Sequence, residues 1–363
     1  MNKKKLSVAA LSLALSAALL AGCTGGNAAP SASTPASPSA TTPASPSVTP
    51  SASTPVSSDA VKTGLSVVTS LAKSKNAAAD AEGLAQANIA LVAVTVGEDG
   101  IIDACVIDAI QSKINFDTAG AVTTDLASTF LSKNELGDEY GMKKASAIGK
   151  EWNEQATAFA KYAVGKTVEE LKGIAVNEKG VATDADLTAS VTIPVGDFIS
   201  GIEAAVNSAA DLGAKKGDKL GLSSETNMAK SKNAAADAEG LAQAYATMAA
   251  VTTNGKTVTS CVIDAVQANV KFDTAGVITT DLEAVAASKN QLGDDYGMRK
   301  ASPIGKEWNE QAAAFAAYAT GKTVDELKGI AVNEKGVATD ADLAASVTVG
   351  IGDFVAVIEK AAG

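Results

Sequence analysis

The chain has 363 residues, a formal charge of −11, only 4% aromatic residues and no histidine. Without imidazole it lacks the commonest general base, the commonest metal ligand and any Ser-His or Cys-His nucleophile pair. An acidic surface repels phosphate backbones, so nucleic acid is set aside as a partner. No paired acid–base signature stands in for the missing histidine, and the chain reads as a non-enzyme.

Lys3, Lys4 and Lys5 precede an uncharged apolar run from Leu6 to Leu20. A basic start, a short apolar core and small residues before a cut site spell a secretory signal peptide over 1–22, too short to span a bilayer. The run ends in Leu20-Ala21-Gly22-Cys23, which resembles the lipobox of bacterial lipoproteins. The resemblance implies that the Cys23 sulfur takes up a diacylglycerol and becomes the new N-terminus. It also implies an extracytoplasmic protein lipid-anchored to the bacterial cell membrane, since two acyl chains hold a protein on a bilayer where one does not. From Thr24 to Ser58 the chain is almost wholly Ser, Thr, Ala, Pro and Gly, with seven of the nine prolines. Such a stretch has no apolar face to offset the entropy of ordering. Residues 23–58 therefore read as a disordered linker, with polyproline II reaching about 100 Å at roughly 3.1 Å per residue.

The remainder is a tandem repeat. Ser74–Ala87 recurs letter for letter as Ser231–Ala244, and Lys172–Leu187 as Lys328–Leu343. The copies also share CVIDA, LGDxYGM and GKEWNEQA, and the register shortens by one residue at a hairpin turn. A period this long is a domain and not a solenoid unit. The boundaries are read as 59–222 and 223–363, with Leu212–Thr226 as the joint. Within a copy, Ala87–Val96 and Ile101–Ile110 are β-branched runs around Gly97-Glu98-Asp99-Gly100, a hairpin signature. A turn at Asp117–Gly120 extends the meander through Thr124. Helical spacing of Trp152, Ala156, Phe159 and Ala163 predicts a helix over Ser146–Val164, stopped by Gly165. Thr167–Glu170 reads as a capping box, Ser190–Val195 as a strand and Asp197 as the cap of a last helix. The fold class is α+β: two tandem copies of an antiparallel sheet with packed helices.

Trp152 and Trp308, in GKEWNEQA, are candidate stacking platforms for a ligand, with core packing as the competing reading. Tyr140 and Tyr296, in LGDxYGM, are the accompanying ligand-binding candidates. Cys105 and Cys261 occupy matching strand positions; buried thiols, an interdomain disulfide and a redox-active pair stay open. Asp184, Asp186 and Glu178, or Asp138 and Glu139, lack the alternation and glycine of a calcium loop, so no metal is assigned.

Each copy opens with a hairpin, VAVTV-GEDG-IIDACVIDA in copy one, and closes with DADLTASVT (DADLAASVT in copy two) before an amphipathic helix. That layout resembles the FMN-binding domain family of exported flavoproteins and extracellular electron-transfer lipoproteins. The resemblance implies FMN as cofactor, joined as a phosphoester at Ser190 and, in copy two, at Ser346. Leu187 and Thr188 (Leu343 and Ala344) replace the Ser-Gly pair of the family motif. Two functions follow. One is a lipid-anchored surface protein presenting two flavin-domain-like ligand-binding modules for extracellular electron transfer. The other is a non-catalytic, cofactor-free surface protein that binds a partner, where tandem copies bring avidity.

Overall fold

The computed structural model describes residues 59–363; the leader, the lipidation candidate Cys23 and the linker lie outside the described residues. Repeat 1 comprises β1 (Lys62–Ser70), β2 (Gly83–Val96), β3 (Ile102–Phe116), α1 (Lys133–Leu136), α2 (Trp152–Ala163), α3 (Val168–Lys172), α4 (Ala185–Thr188) and α5 (Gly196–Asn207). Repeat 2 follows with β4 (Lys219–Asn227), β5 (Gly240–Asn254), β6 (Thr257–Phe272), α6 (Lys289–Leu292), α7 (Trp308–Ala319), α8 (Val324–Lys328), α9 (Ala341–Ala344) and α10 (Gly352–Ala362). Each repeat is a three-stranded antiparallel meander, β1-β2-β3 or β4-β5-β6, with helices packed on one face.

The other face of each sheet is covered by the other sheet. Inner-face residues of β2 (Ala87, Ile89, Leu91) and of β5 (Ala244, Ala246, Met248) belong to one apolar core. Phe116 and Phe272 stack at its centre, ring centroids 4.1 Å apart and planes 6° from parallel. The result is a helix–sheet–sheet–helix sandwich in which the two repeats complete one another. Small alanines on the inner faces let the sheets approach, while outer-face residues pack against α2 and α5, or α7 and α10. Between the copies the contacts are reciprocal. The Ala77 N–H donates to the Gly276 carbonyl (2.9 Å) and the Ala234 N–H to the Gly120 carbonyl (2.7 Å). Asn76 and Asn233 likewise accept from the Ile278 and Val122 amides across the interface. The letter-perfect SKNAAADAEG segments are thus the loops by which each copy grips the other's turn, as an isologous contact requires.

Gly64 and Gly221 show how tightly the last helix of each repeat sits on its edge strand. A Cβ at either would lie 1.9 Å from a helix carbonyl, that of Ala205 or Ala361. Only glycine permits that approach.

Several elements differ from the sequence reading. The proposed joint Leu212–Thr226 is largely β4, the counterpart of β1, and the 222/223 boundary falls inside it. Ser190–Val195 is no strand: the Thr192 amide goes to the Gln155 side chain and Pro194 has no N–H, so only an isolated Val181–Pro194 bridge forms. Asp197 lies inside the first turn of α5, whose N-cap is Val195. The meander past Asp117–Gly120 returns as a single Phe116–Val122 bridge. The α2 helix starts at Trp152, six residues later than predicted, because Glu151 caps it in a box with Glu154; its four buried face residues and the Thr167 capping box are as the spacing predicts.

Candidate functional site

In each repeat a short clamp on the edge of β3 or β6 aims one lysine at the helix-covered face. Ser132 caps α1 through a capping box with Glu135, and bridges to Ile110 of β3. Asn134 fixes the turn by donating its amide to Asp108 Oδ1 (3.0 Å) and its side-chain Nδ2 to the Ile107 carbonyl (2.9 Å). Repeat 2 reproduces the clamp with Ser288, Asn290, Asp264 and Ile263. Both aspartates are buried, and burial pushes each carboxyl up to about 6 against the amide hydrogen bonds that favour its charge.

The 3₁₀ turn Gly137–Tyr140 then swings Tyr140 around, and the following loop is tied to the start of α2. Glu151, the N-cap of α2, is buried and accepts from the Met142 and Lys143 amides, each at 2.8 Å. Its charge sits at a helix N-terminus among N–H donors, which is what makes burial tolerable. This brackets Trp152 beside Tyr140, so the sequence candidates on each repeat do come together. Lys133 Nζ lies 4.6 Å from both ring centroids. Trp152 also meets Phe198 of α5 edge-to-face at 5.8 Å, so it is at once core and site wall.

Repeat 2 places Lys289 Nζ 4.7 Å from the Tyr296 ring and 4.5 Å from Trp308. A third ring, Tyr245 of β5, lies at 4.8 Å, and its hydroxyl accepts a hydrogen bond from Lys289 Nζ at 3.0 Å. The sequence reading missed Lys133, Lys289 and Tyr245; the shared KN step before LGDxYGM and the Asn88-to-Tyr245 difference were the available signals. Burial lowers the Lys289 ammonium to about 8 and raises the Tyr245 phenol to about 12. Repeat 1 carries Asn88 where repeat 2 has Tyr245, and there a cavity of about 350 Å³ opens, walled by Ala90, Val92, Ile107, Trp152 and Phe198 and reached by Lys133. A larger cleft of about 560 Å³ runs between the repeats, past Thr63, Ile263 and Ala316. The exposed Asp211 is its only charged liner beside neutral polar groups such as Asn290 and Asn309, and neither a lysine nor an aromatic ring lines it as in the smaller site.

Ser190 and Ser346 are elsewhere. Each follows a four-residue helix, α4 or α9, and donates its hydroxyl to a leucine carbonyl one turn back, Leu187 or Leu343, at 3.2 Å. The Ser190 and Val191 amides also go to Leu187, and that of Thr192 to Gln155 Oε1 at 2.8 Å. Gln155 is fully buried and holds this segment to α2, so DADLTASVT acts as a clamp. A phosphoester at Ser190 or Ser346 would find the neighbouring amides already spent and no glycine turn to present new ones. The residues present do not fit an attached FMN.

Cys105 and Cys261 are free and pack in the two opposite helix-side cores, which removes the disulfide. Burial raises both thiols to about 12, away from the thiolate form a redox-active pair uses. Among the described residues no group of three or more Cys, Asp or Glu side chains is placed to hold a metal ion, and no helix is long and apolar enough to cross a membrane. No family model, no curated protein and no solved structure matches this chain.

Proposed function

We propose that the chain is an exported, lipid-anchored and non-catalytic binding protein. Acylated Cys23 fixes it to the cell membrane, residues 24–58 space it outward, and the paired repeats receive a small aromatic ligand. The observation that carries the binding reading is the cavity of repeat 1, an apolar well lined by Trp152 and Lys133, whose ammonium also meets the Tyr140 ring behind it. Mostly apolar walls with a few converging polar groups are the usual build of a small-molecule site. The leader and the Leu20–Cys23 motif support the anchoring. With Ser190 and Ser346 engaged internally, the flavin-carrier reading has no attachment geometry behind it.

The test uses the full chain expressed in a bacterial host. Wild type is expected in the membrane fraction with the mass of a lipid on Cys23, and Cys23→Ala in the soluble fraction. Native mass spectrometry of the intact protein is expected to show a small adduct that Asn88→Tyr removes. Membrane retention of Cys23→Ala would overturn the anchoring. A visible flavin band that stays with the denatured chain would replace this reading with the electron-transfer one.

A further inference from the structure

We infer that the repeat 1 cavity is a receptor for a phenolic ring, a small hydroxylated aromatic molecule seated where repeat 2 seats its own Tyr245. The inference rests on the binding reading above and names its ligand class.

The two sites are built from the same parts. Lysine, tyrosine and tryptophan come from matching positions, held by the same Ser, Asn and Asp clamp. What differs is a patch of the outer sheet face. Cross-strand neighbours Val68 and Ala90, with Asn88 beside them, correspond to Glu225, Thr247 and Tyr245. In repeat 2 the Tyr245 ring closes the aromatic shell around the ammonium and its oxygen accepts a hydrogen bond from Lys289 Nζ. In repeat 1 the shorter Asn88 turns along the strand, accepting from Gln86 Nε2 (3.0 Å) and Gln111 Nε2 (3.1 Å). It leaves Lys133 alone. Among the described residues Lys133 Nζ meets two rings and has neither hydrogen-bond nor ion-pair partner.

An ammonium against two rings, with donors unused and an apolar well beside it, is complementary to a third ring carrying an acceptor oxygen. The well, at about 350 Å³, exceeds the ~150 Å³ that suffices to take up benzene. The wall charges favour a neutral ligand over an anion. Asp108 and Asp197 line the same cavity as Lys133, so a carboxylate would meet two acids for one base. Repeat 2 shows the neutral solution, a phenol beside Lys289 with Asp264 and Asp353 near the ammonium.

The experiment is isothermal titration calorimetry of the full chain carrying Cys23→Ala with three probes of one shape: p-cresol, toluene and 4-methylbenzoate. One p-cresol is expected per chain, at least tenfold tighter than toluene, because a hydrogen bond from a charged donor is worth that factor or more. Asn88→Tyr is expected to weaken p-cresol and toluene alike by tenfold or more. Lys133→Met is expected to bring p-cresol down to the affinity of toluene while leaving toluene unchanged, and it keeps the test alive if Asn88→Tyr misfolds. Equal binding of toluene and p-cresol would overturn the phenolic assignment but leave the cavity a ligand site. Tighter binding of 4-methylbenzoate would overturn it in favour of a carboxylated ligand. Failure of all three to bind would overturn the assignment and the binding reading together.

Discussion

Repeat 1 and repeat 2 diverge least in what builds their sites and most in what fills them. The clamp, the lysine and two aromatic rings recur, while the sheet residue beneath them is Asn88 in one and Tyr245 in the other. That exchange changes the lysine as well. Lys289 is buried and its ammonium is lowered to about 8, whereas Lys133 borders an open cavity. A duplicated domain has thus kept one copy with an internal occupant and one with a place for an external one. The filled copy serves as a template for reading the empty one.

The comparison presumes that the copies fold as a unit, and the largest expected effect tests that. Phe272→Ala removes half of the central stack and should cost about 3–5 kcal/mol, since the packed sheets cannot collapse around the void. Urea unfolding followed by fluorescence and by circular dichroism should show one transition shifted as a whole. A split into one normal and one weakened transition would mean that each repeat folds on its own. Next in size is Tyr245→Asn, which turns the repeat 2 site into a copy of the repeat 1 site. It should cost about 2–4 kcal/mol of stability and raise the p-cresol stoichiometry from one to two. A variant that is destabilised yet gains no second site would break the correspondence between the two cavities.

The buried aspartates sharpen what the sites share. Asp108 and Asp264 titrate near 6 when folded and near 3.9 when unfolded, so between those values the folded state holds more protons. Their contribution to stability is therefore greatest below about pH 4 and is lost as pH rises through 6, on the order of 3 kcal/mol for each. Asparagine at both positions should flatten stability over that window, with equal shares from the two repeats. A wild-type profile that already rises steadily from pH 4 to 6, unchanged in the double variant, would contradict the assigned burial. The smallest effect concerns another difference. Glu135 pairs with Lys360 across the repeats at 2.5 Å, while its counterpart Gln291 donates to the Val67 carbonyl. Glu135→Gln should cost less than about 1 kcal/mol and less still in high salt, because the pair is partly solvated.

Much of this was legible in the residues. The duplication, the hairpins, the α2 stripe of Trp152, Ala156, Phe159 and Ala163, and the Thr167 capping box all rest on local periodicity or local chemistry, and local rules suffice for them. The face-to-face sheets were not found, because their partner surface lies in the other copy. One trace of them was present: Ile89–Val94 is continuously apolar instead of alternating, as in a strand covered on both sides. The strand β4 was hidden by its glycine, lysine and serines, and only its alignment with β1 would have exposed it. The tryptophan and tyrosine candidates were legible by their recurrence in matched motifs. The lysine between them was not, since an isolated KN step carries no signal until the clamp aims it. Ser190 and Ser346 show the converse. A motif can match in part of its spelling while its hydroxyl and amides are committed to holding a turn closed.

The most direct measurement is a nitrogen-15 NMR titration of the full chain carrying Cys23→Ala with p-cresol, following the indole N–H signals of its two tryptophans. The indole of Trp152, on the wall of the open cavity, should move in proportion to occupancy while that of Trp308, behind Tyr245, stays in place. Movement of both signals together, or of Trp308 alone, would contradict the division between an empty site and a filled one.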